Sequence, residues 1–224
     1  MSGFEIAGVV LGSVPIIVQA CQFYVKLIED SHILRRRYYI RELRSRIRTL
    51  NVEYVRLQNV CEKLLLGLVP NSQIEILIAD PLGDAWRDAS VQQRINLRLL
   101  RGGPAFSETL EDMLDAIKTL KKKMGIDPDA KTFQPPQLDS PIQRLLARIA
   151  FIFRKDEFKE ILDQLRYGVC SLESLVNLNI ELDQARETRG MSRVCLALHI
   201  AIFCRSYLGE HQHRTTPSHY PAER

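Results

Sequence analysis

Apolar residues recur at alternating intervals of three and four along three separate segments of this chain. The second and third segments run from Phe106 to Met124 and from Phe158 to Val176. This period places apolar side chains on one face of an α-helix, as in coiled coils and helix bundles. The first segment carries Ile40, Leu43, Ile47, Leu50, Tyr54, Leu57, Cys61 and Leu64. No strand-like alternation competes with it, so the sequence predicts an all-α protein, an antiparallel bundle of about five or six helices.

The length and composition fit one large domain followed by a tail. The chain has 224 residues, of which 46% are hydrophobic, enough to bury a core. We predict a bundle over residues 1–190, with its last long helix ending near Arg189. Residues 126–140 contain three prolines and no period, which is typical of a linker, and Ser140-Pro141 is typical of a helix start. Residues 191–224 are predicted to be a short apolar segment and a disordered tail.

The stretch from Ile6 to Val25 contains no charged residue. At about 1.5 Å per helical residue it is long enough to cross a bilayer. Two interpretations stay open. In one it is a core helix whose Gly8 and Gly12 allow close packing, and in the other the same glycine face supports helix association in lipid. The sequence leaves open whether this helix lies inside or outside the resting bundle.

Sequence features near the N-terminus and the cysteine pattern favour a cytoplasmic protein. Glu5 and the absence of a basic leading segment argue against a secretory signal. The five cysteines are scattered and form no C-x-x-C pair, which favours a reducing compartment. We therefore expect a cytoplasmic chain that could associate with a membrane from the cytosolic side.

Positive charge is concentrated just after the apolar stretch. Residues 31–65 hold nine Lys/Arg against three acids, a balance of nine minus three, or +6, whereas the whole chain is +4. The interpretations are a solvated helix face, contact with anionic headgroups, a protein partner, and nucleic acid. The small net charge and sparse aromatics argue against nucleic acid. The candidates for headgroup contact are Arg35, Arg36, Arg37, Arg41 and Arg44, and Arg48 continues the same stripe.

Residue patterns that carry catalysis are missing from the sequence. There is no phosphate-binding glycine loop, zinc-protease motif, nucleophile elbow or calcium loop. The acidic clusters at residues 80–88 and 108–115 fit turns, caps and a helix start. The late residues Cys204, His211, His213 and His219 match no standard zinc spacing. We expect no enzyme, cofactor, metal site or small-molecule substrate.

Five segments resemble one group of fungal proteins. They are FEIAGVVLGSVPIIVQA from Phe4, LIADPLGDAWRD (77–88), FSETLEDM (106–113), LKKKMGIDPD (120–129) and SLESLVNLNIELDQAR (171–186). The chain is similar over residues 3–190 to fungal HeLo and HeLo-like domains, and to the N-terminal region of a fungal family with a C-terminal domain of unknown function. These domains occur in heterokaryon-incompatibility and prion-controlled proteins.

The resemblance implies a helical bundle whose first helix is expelled on activation and inserted into a membrane, leading to cell death. The positions that would insert are Phe4, Ile6, Gly8, Val9, Val10, Leu11, Gly12, Val14, Ile16 and Ile17. The alternative function is a protein-interaction or oligomerisation module without membrane activity. It would pair through Ile40, Leu43, Ile47, Leu50, Tyr54, Leu57 and Leu64, a seam that could equally lie inside the bundle.

Overall fold

The structure, a computed structural model, describes residues 3–30, 36–135 and 155–211, with side chains described for 3–29, 40–135 and 157–185. Within these ranges the chain forms helices joined by loops and short 3-10 turns, with no β-strand. The helices are α1 (Gly3–Asp30), α2 (Arg36–Leu65), α3 (Asn71–Ala79), α4 (Ala89–Leu99), α5 (Gly103–Met124) and α6 (Lys155–His211). The predicted all-α bundle is confirmed.

The chain divides into two compact units, Met1–Asn179 and Ile180–Arg224. In the second unit α6 continues past the end predicted near Arg189 and reaches His211. The segment contains no proline, and a helix-interior glycine such as Gly190 costs only about 1 kcal/mol relative to alanine. Several predictions lie outside the described residues: the Ser140-Pro141 helix start, the tail from residue 212, and the side chains of Cys204, His211, His213 and His219.

The first unit is built around α1, which packs against α2 on one side and α5 on another. The apolar seams predicted for α5 and for the N-terminal part of α6 both face the core. The buried α5 positions are Phe106, Leu110, Met113, Ile117, Leu120 and Met124. The buried α6 positions are Phe158, Leu162, Leu165, Val169, Leu172 and Val176. Local periodicity therefore predicted these two faces correctly.

Helix α3 lies outside the three periodic segments of the sequence, so the sequence did not predict it. Ile74 and Leu77 of α3 are buried, and this burial stabilises a nine-residue helix that would be marginal alone. Gly67 adopts φ +77°, which lets the chain reverse after α2. Arg98 of α4 then donates to the carbonyls of Leu64 and Leu66, which fixes α4 against the end of α2.

Gly125 closes the end of α5. Gly125 has φ +73°, and the amide of Ile126 donates to the carbonyl of Lys121 at 2.9 Å, the pattern of a Schellman cap. Lys121 in the last turn of α5 is itself buried. Its Nζ donates to the carbonyls of Pro128 and Ala130, and burial lowers the pKa of this ammonium.

Candidate functional site

Helix α1 combines membrane-compatible composition with a buried position. Over Gly3–Glu29 it is the one helix among the described residues that is long and apolar enough to span a bilayer, a test that buried core helices also pass. Its most apolar window is 67% buried. Its exposed side chains are Gln19, Gln22, Lys26 and Glu29. The structure therefore places α1 inside the resting bundle, which answers the question that the sequence left open.

The proposed insertion positions share this burial. Val9 is partly exposed, and the remaining nine positions are buried. These nine are Phe4, Ile6, Gly8, Val10, Leu11, Gly12, Val14, Ile16 and Ile17. None of them could touch a membrane unless α1 left its place in the core.

A loop covers the glycine face of α1. We call residues 80–88 the Trp86 loop, which includes the 3-10 turn Asp84–Arg87. A Cβ atom built on Gly8 would lie 2.6 Å from the carbonyl oxygen of Pro81, and one built on Gly12 would collide with the side chain of Leu82. Only glycine permits this close approach, so the spacing of Gly8 and Gly12 is accounted for by packing within the chain.

The Trp86 loop also holds the start of α1 by aromatic and polar contacts. The rings of Phe4 and Trp86 stack with centroids 4.4 Å apart. The indole Nε1 of Trp86 donates to the carbonyl of Leu77 at 2.8 Å, which satisfies its only polar atom in the core. Arg87 pairs with Glu5 at 3.1 Å on the surface. Trp86 therefore fixes this loop to the bundle.

The other half of α1 is tied to the end of α5. The hydroxyl of Tyr24 donates to the carbonyl of Met124 at 2.8 Å, and both groups are buried. The neighbouring ring of Phe23 packs near Phe133, with centroids 5.7 Å apart. Contacts at both ends therefore stabilise α1 in the bundle.

The seam on α2 is divided between the core and the surface. Its fully buried members point at the other helices of the first unit, as in an internal bundle seam, and they are Leu43, Leu50, Leu57, Cys61 and Leu64. Ile40, Ile47 and Tyr54 are only partly buried. Most of the seam is thus occupied within the chain, and a narrower half-exposed row is left.

A groove rich in arginine runs between the second half of α1 and the first half of α2. Two adjoining pockets share Arg44 and Arg48, and together we call them the basic groove. The residues lining it are Gln22, Val25 and Glu29 from α1 and Ile40, Arg41, Arg44, Ile47 and Arg48 from α2. Arg44 pairs with Glu29 at 2.8 Å, whereas Arg41 and Arg48 form no ion pair with a described residue. The side chains of Arg35, Arg36 and Arg37 are not among those that the structure describes.

One arginine of the basic segment is not part of a solvated face. Arg46 is only 6% exposed, and its guanidinium lies over the ring of Phe158 at 4.6 Å from the centroid. It also pairs with Glu42 one turn earlier. A cation–π contact and an ion pair compensate the burial of Arg46. The four-residue spacing from Glu42 to Arg46 was the available sequence signal.

A charged cluster joins α2 to α6. Glu53 is nearly buried and accepts from Arg56 and Arg166, both at 3.0 Å. Arg56 also reaches Glu173 at 2.8 Å and the thiol of Cys170 at 3.2 Å. Two arginines therefore share one shielded carboxylate. Sequence analysis missed this cluster, since Arg166 is 113 residues away from Glu53.

The two buried thiols, Cys21 and Cys61, are protected from reaction by their burial. Burial raises the pKa of Cys21 and of Cys61 to about 12, so both stay protonated at neutral pH. Among the described side chains no three His, Cys, Asp or Glu residues gather where they could hold a metal ion.

The chain matches none of the protein-family models, curated proteins or solved structures with which it was compared.

Proposed function

We propose that this chain is a membrane-acting helical bundle of the HeLo-like type, in which α1 is stored in the core and inserted into a membrane on activation. The observation that carries the proposal is the contrast within α1: a helix able to span a bilayer is held in the core by a loop across its glycines. The residues that hold it, including Trp86, come from the segments that resemble the fungal family.

The neighbouring basic groove supports this proposal. Arg41, Arg44 and Arg48 are exposed on α2 beside the second half of α1. Basic residues near an anionic leaflet contribute about 1 kcal/mol each to membrane binding. The groove would thus bring the bundle to a cytosolic membrane surface before α1 leaves its place. Cytoplasmic localisation and a role in cell death are parts of the same proposal.

A reversible crosslink tests whether α1 must leave the bundle. A Cβ built on Gly3 would lie 3.2 Å from Cβ of Ser107 on α5, slightly shorter than the distance of about 3.5–4.5 Å in disulfides. In the variant Gly3→Cys/Ser107→Cys, oxidation would fix the start of α1 to α5. We expect the full chain to release dye from anionic liposomes when reduced and to lose that activity when oxidised.

The single variant Ser107→Cys is the matched control, because it carries one new thiol and cannot form this crosslink. Its leakage activity should not depend on the oxidant. Equal leakage from the oxidised and reduced double variant, with the crosslink verified by mass spectrometry, would contradict insertion of α1. Absence of leakage from the unmodified chain on every liposome would also contradict the proposal.

Self-association is the second candidate function, and exposed apolar side chains on α2 favour it. Val52 and Val55 are 56% and 50% exposed, and they lie on the same helix as the partly buried Ile47 and Tyr54. Under this alternative the chain would dimerise in solution without lipid. Light scattering on the chain and on Val52→Lys/Val55→Lys would test it. A monomer at all concentrations would exclude this function.

A further inference from the structure

The basic groove contains a weak ion pair that joins α1 to α2. Glu29 and Arg44 are 2.8 Å apart, but their side chains are 42% and 60% exposed. Exposed pairs of this kind contribute little to stability because water and salt screen them. Glu29 is also the one acidic residue that lines the groove among the described side chains. A stronger anion could therefore replace it.

The arginines are arranged to accept an anion with more than one phosphate. Arg41, Arg44 and Arg48 follow one another at three and four residues, so they stand on one face of α2, about 10 Å from first to last. Arg41 and Arg48 have no ion-pair partner in the described part of the chain. Guanidinium groups bind phosphate oxygens in a bidentate manner, which lysine does not.

We propose that the basic groove binds the phosphate groups of a phosphoinositide headgroup, and that the phosphate takes the place of Glu29 at Arg44. Binding would then do two things at once. It would hold the bundle at the membrane, and it would break the ion pair between α1 and α2 in the half of α1 away from the Trp86 loop. The inference rests on the proposed function, since it supplies the membrane signal that promotes release of α1.

The apolar residues that line the basic groove favour a lipid headgroup as the ligand over a free soluble phosphate. Ile47 and Val25 line it beside the arginines, and both are apolar. A headgroup attached to acyl chains would bring apolar surface to these residues as well as charge to the arginines. A soluble polyphosphate would satisfy the arginines alone.

Vesicle co-sedimentation of the full chain tests the groove without requiring leakage. The variant Arg41→Gln/Arg48→Gln removes the two arginines that have no ion-pair partner among the described residues, and glutamine keeps a comparable helix propensity. On phosphatidylcholine vesicles containing phosphatidylinositol 4,5-bisphosphate, we expect it to bind about 30-fold more weakly than the unmodified chain. Lys122→Gln/Lys131→Gln removes the same charge from exposed positions outside the groove and should bind within a few-fold of the unmodified chain. Equal losses in both variants would overturn the proposal.

Replacing the competing acid tests the exchange at Arg44. Glu29→Gln leaves Arg44 without its partner, and we expect it to bind the same vesicles about two- to fivefold more tightly. Unchanged or weaker binding would overturn the exchange. Inositol 1,4,5-trisphosphate serves as the soluble probe. If it binds the chain while the vesicles do not, the ligand is a free phosphate and the lipid assignment is wrong.

The two proposals fail in different ways. If the unmodified chain binds the phosphoinositide vesicles through Arg41 and Arg48 but releases no dye, the headgroup site stands and the membrane-insertion function fails. If the chain releases dye and the two groove arginines do not affect binding, insertion stands and the headgroup site fails.

Discussion

The ring of Phe4 stacks on the indole of Trp86 with 4.4 Å between their centroids, and so joins the first turn of α1 to a loop some eighty residues later. The same loop meets Gly8 and Gly12. A small set of contacts therefore holds the N-terminal half of the most apolar of the described helices, and those contacts are accessible to substitution.

Replacing Trp86 should weaken the bundle and loosen α1 together. Trp86→Ala removes the stack on Phe4 and the bond to the carbonyl of Leu77, and we expect a loss of about 3–5 kcal/mol in the free energy of unfolding. Trp86→Phe keeps a ring in place and should lose only about 1–2 kcal/mol. Urea unfolding followed by far-UV circular dichroism measures both. Equal losses would show that the ring stack contributes nothing.

Adding a methyl group at Gly8 should lower the free energy of unfolding more than adding one at Gly168. The new Cβ at Gly8 would meet the backbone oxygen of Pro81, which cannot move without shifting the loop. We therefore expect Gly8→Ala to lower the free energy of unfolding by about 1–3 kcal/mol. At Gly168 the neighbour is the flexible side chain of Met113. There the gain in helix propensity, about 1 kcal/mol, should offset most of the crowding. The comparison is made by thermal and urea unfolding, and a reversed order would count against the described packing.

Glu53 should contribute more to the stability of the fold than Glu173, although both carboxylates accept from Arg56. Glu53 is 8% exposed and serves two arginines, so Glu53→Gln leaves both without their shared anion and should lose about 1.5–3 kcal/mol. Glu173 is 48% exposed, and Glu173→Gln should change stability by less than about 1 kcal/mol. Chemical denaturation of the two variants decides the matter, and similar small losses would mean that the cluster is energetically neutral.

The cysteines should differ in reactivity according to burial. With a pKa of about 12, Cys21 and Cys61 are thiolates in only about one molecule in ten thousand at pH 8. Iodoacetamide should therefore modify the exposed Cys170 in the folded chain and reach the two buried thiols only after unfolding. Peptide mass spectrometry assigns each site. Fast labelling of Cys21 in buffer would show that α1 leaves the core spontaneously.

The burial of Cys21 and Cys61 should make the folded chain less stable as the pH becomes alkaline. The unfolded thiols lose their protons near pH 9, whereas the folded ones keep theirs to about 12. Stability that is present below pH 9 is therefore lost as the pH rises towards 12, because the unfolded state releases protons that the folded state retains. The double variant Cys21→Ala/Cys61→Ala should show a shallower decline over this range in urea titrations, and an unchanged slope would assign the effect to other groups.

Sequence reasoning succeeded where a feature is set by nearby residues. The 4-3 spacing of α5 and α6 predicted their buried faces. It failed where contacts between distant segments decide. Helix α3 forms because Ile74 and Leu77 find a core, and Arg46 is buried because Phe158 lies under it. The candidate headgroup residues were predicted from charge alone, so Glu29 emerged as a groove residue only from the packing of α1 on α2.

The central position of α1 has a consequence for timing. Both α2 and α5 pack on this helix, and its buried residues extend from Phe4 to Ile28. A helix at the rim of a bundle could swing out on a hinge, but departure of a central helix removes the surface on which its neighbours rest. Any such departure would cross a barrier comparable to that of unfolding, so the resting lifetime would be governed by a rate of escape rather than by an equilibrium between two similar shapes.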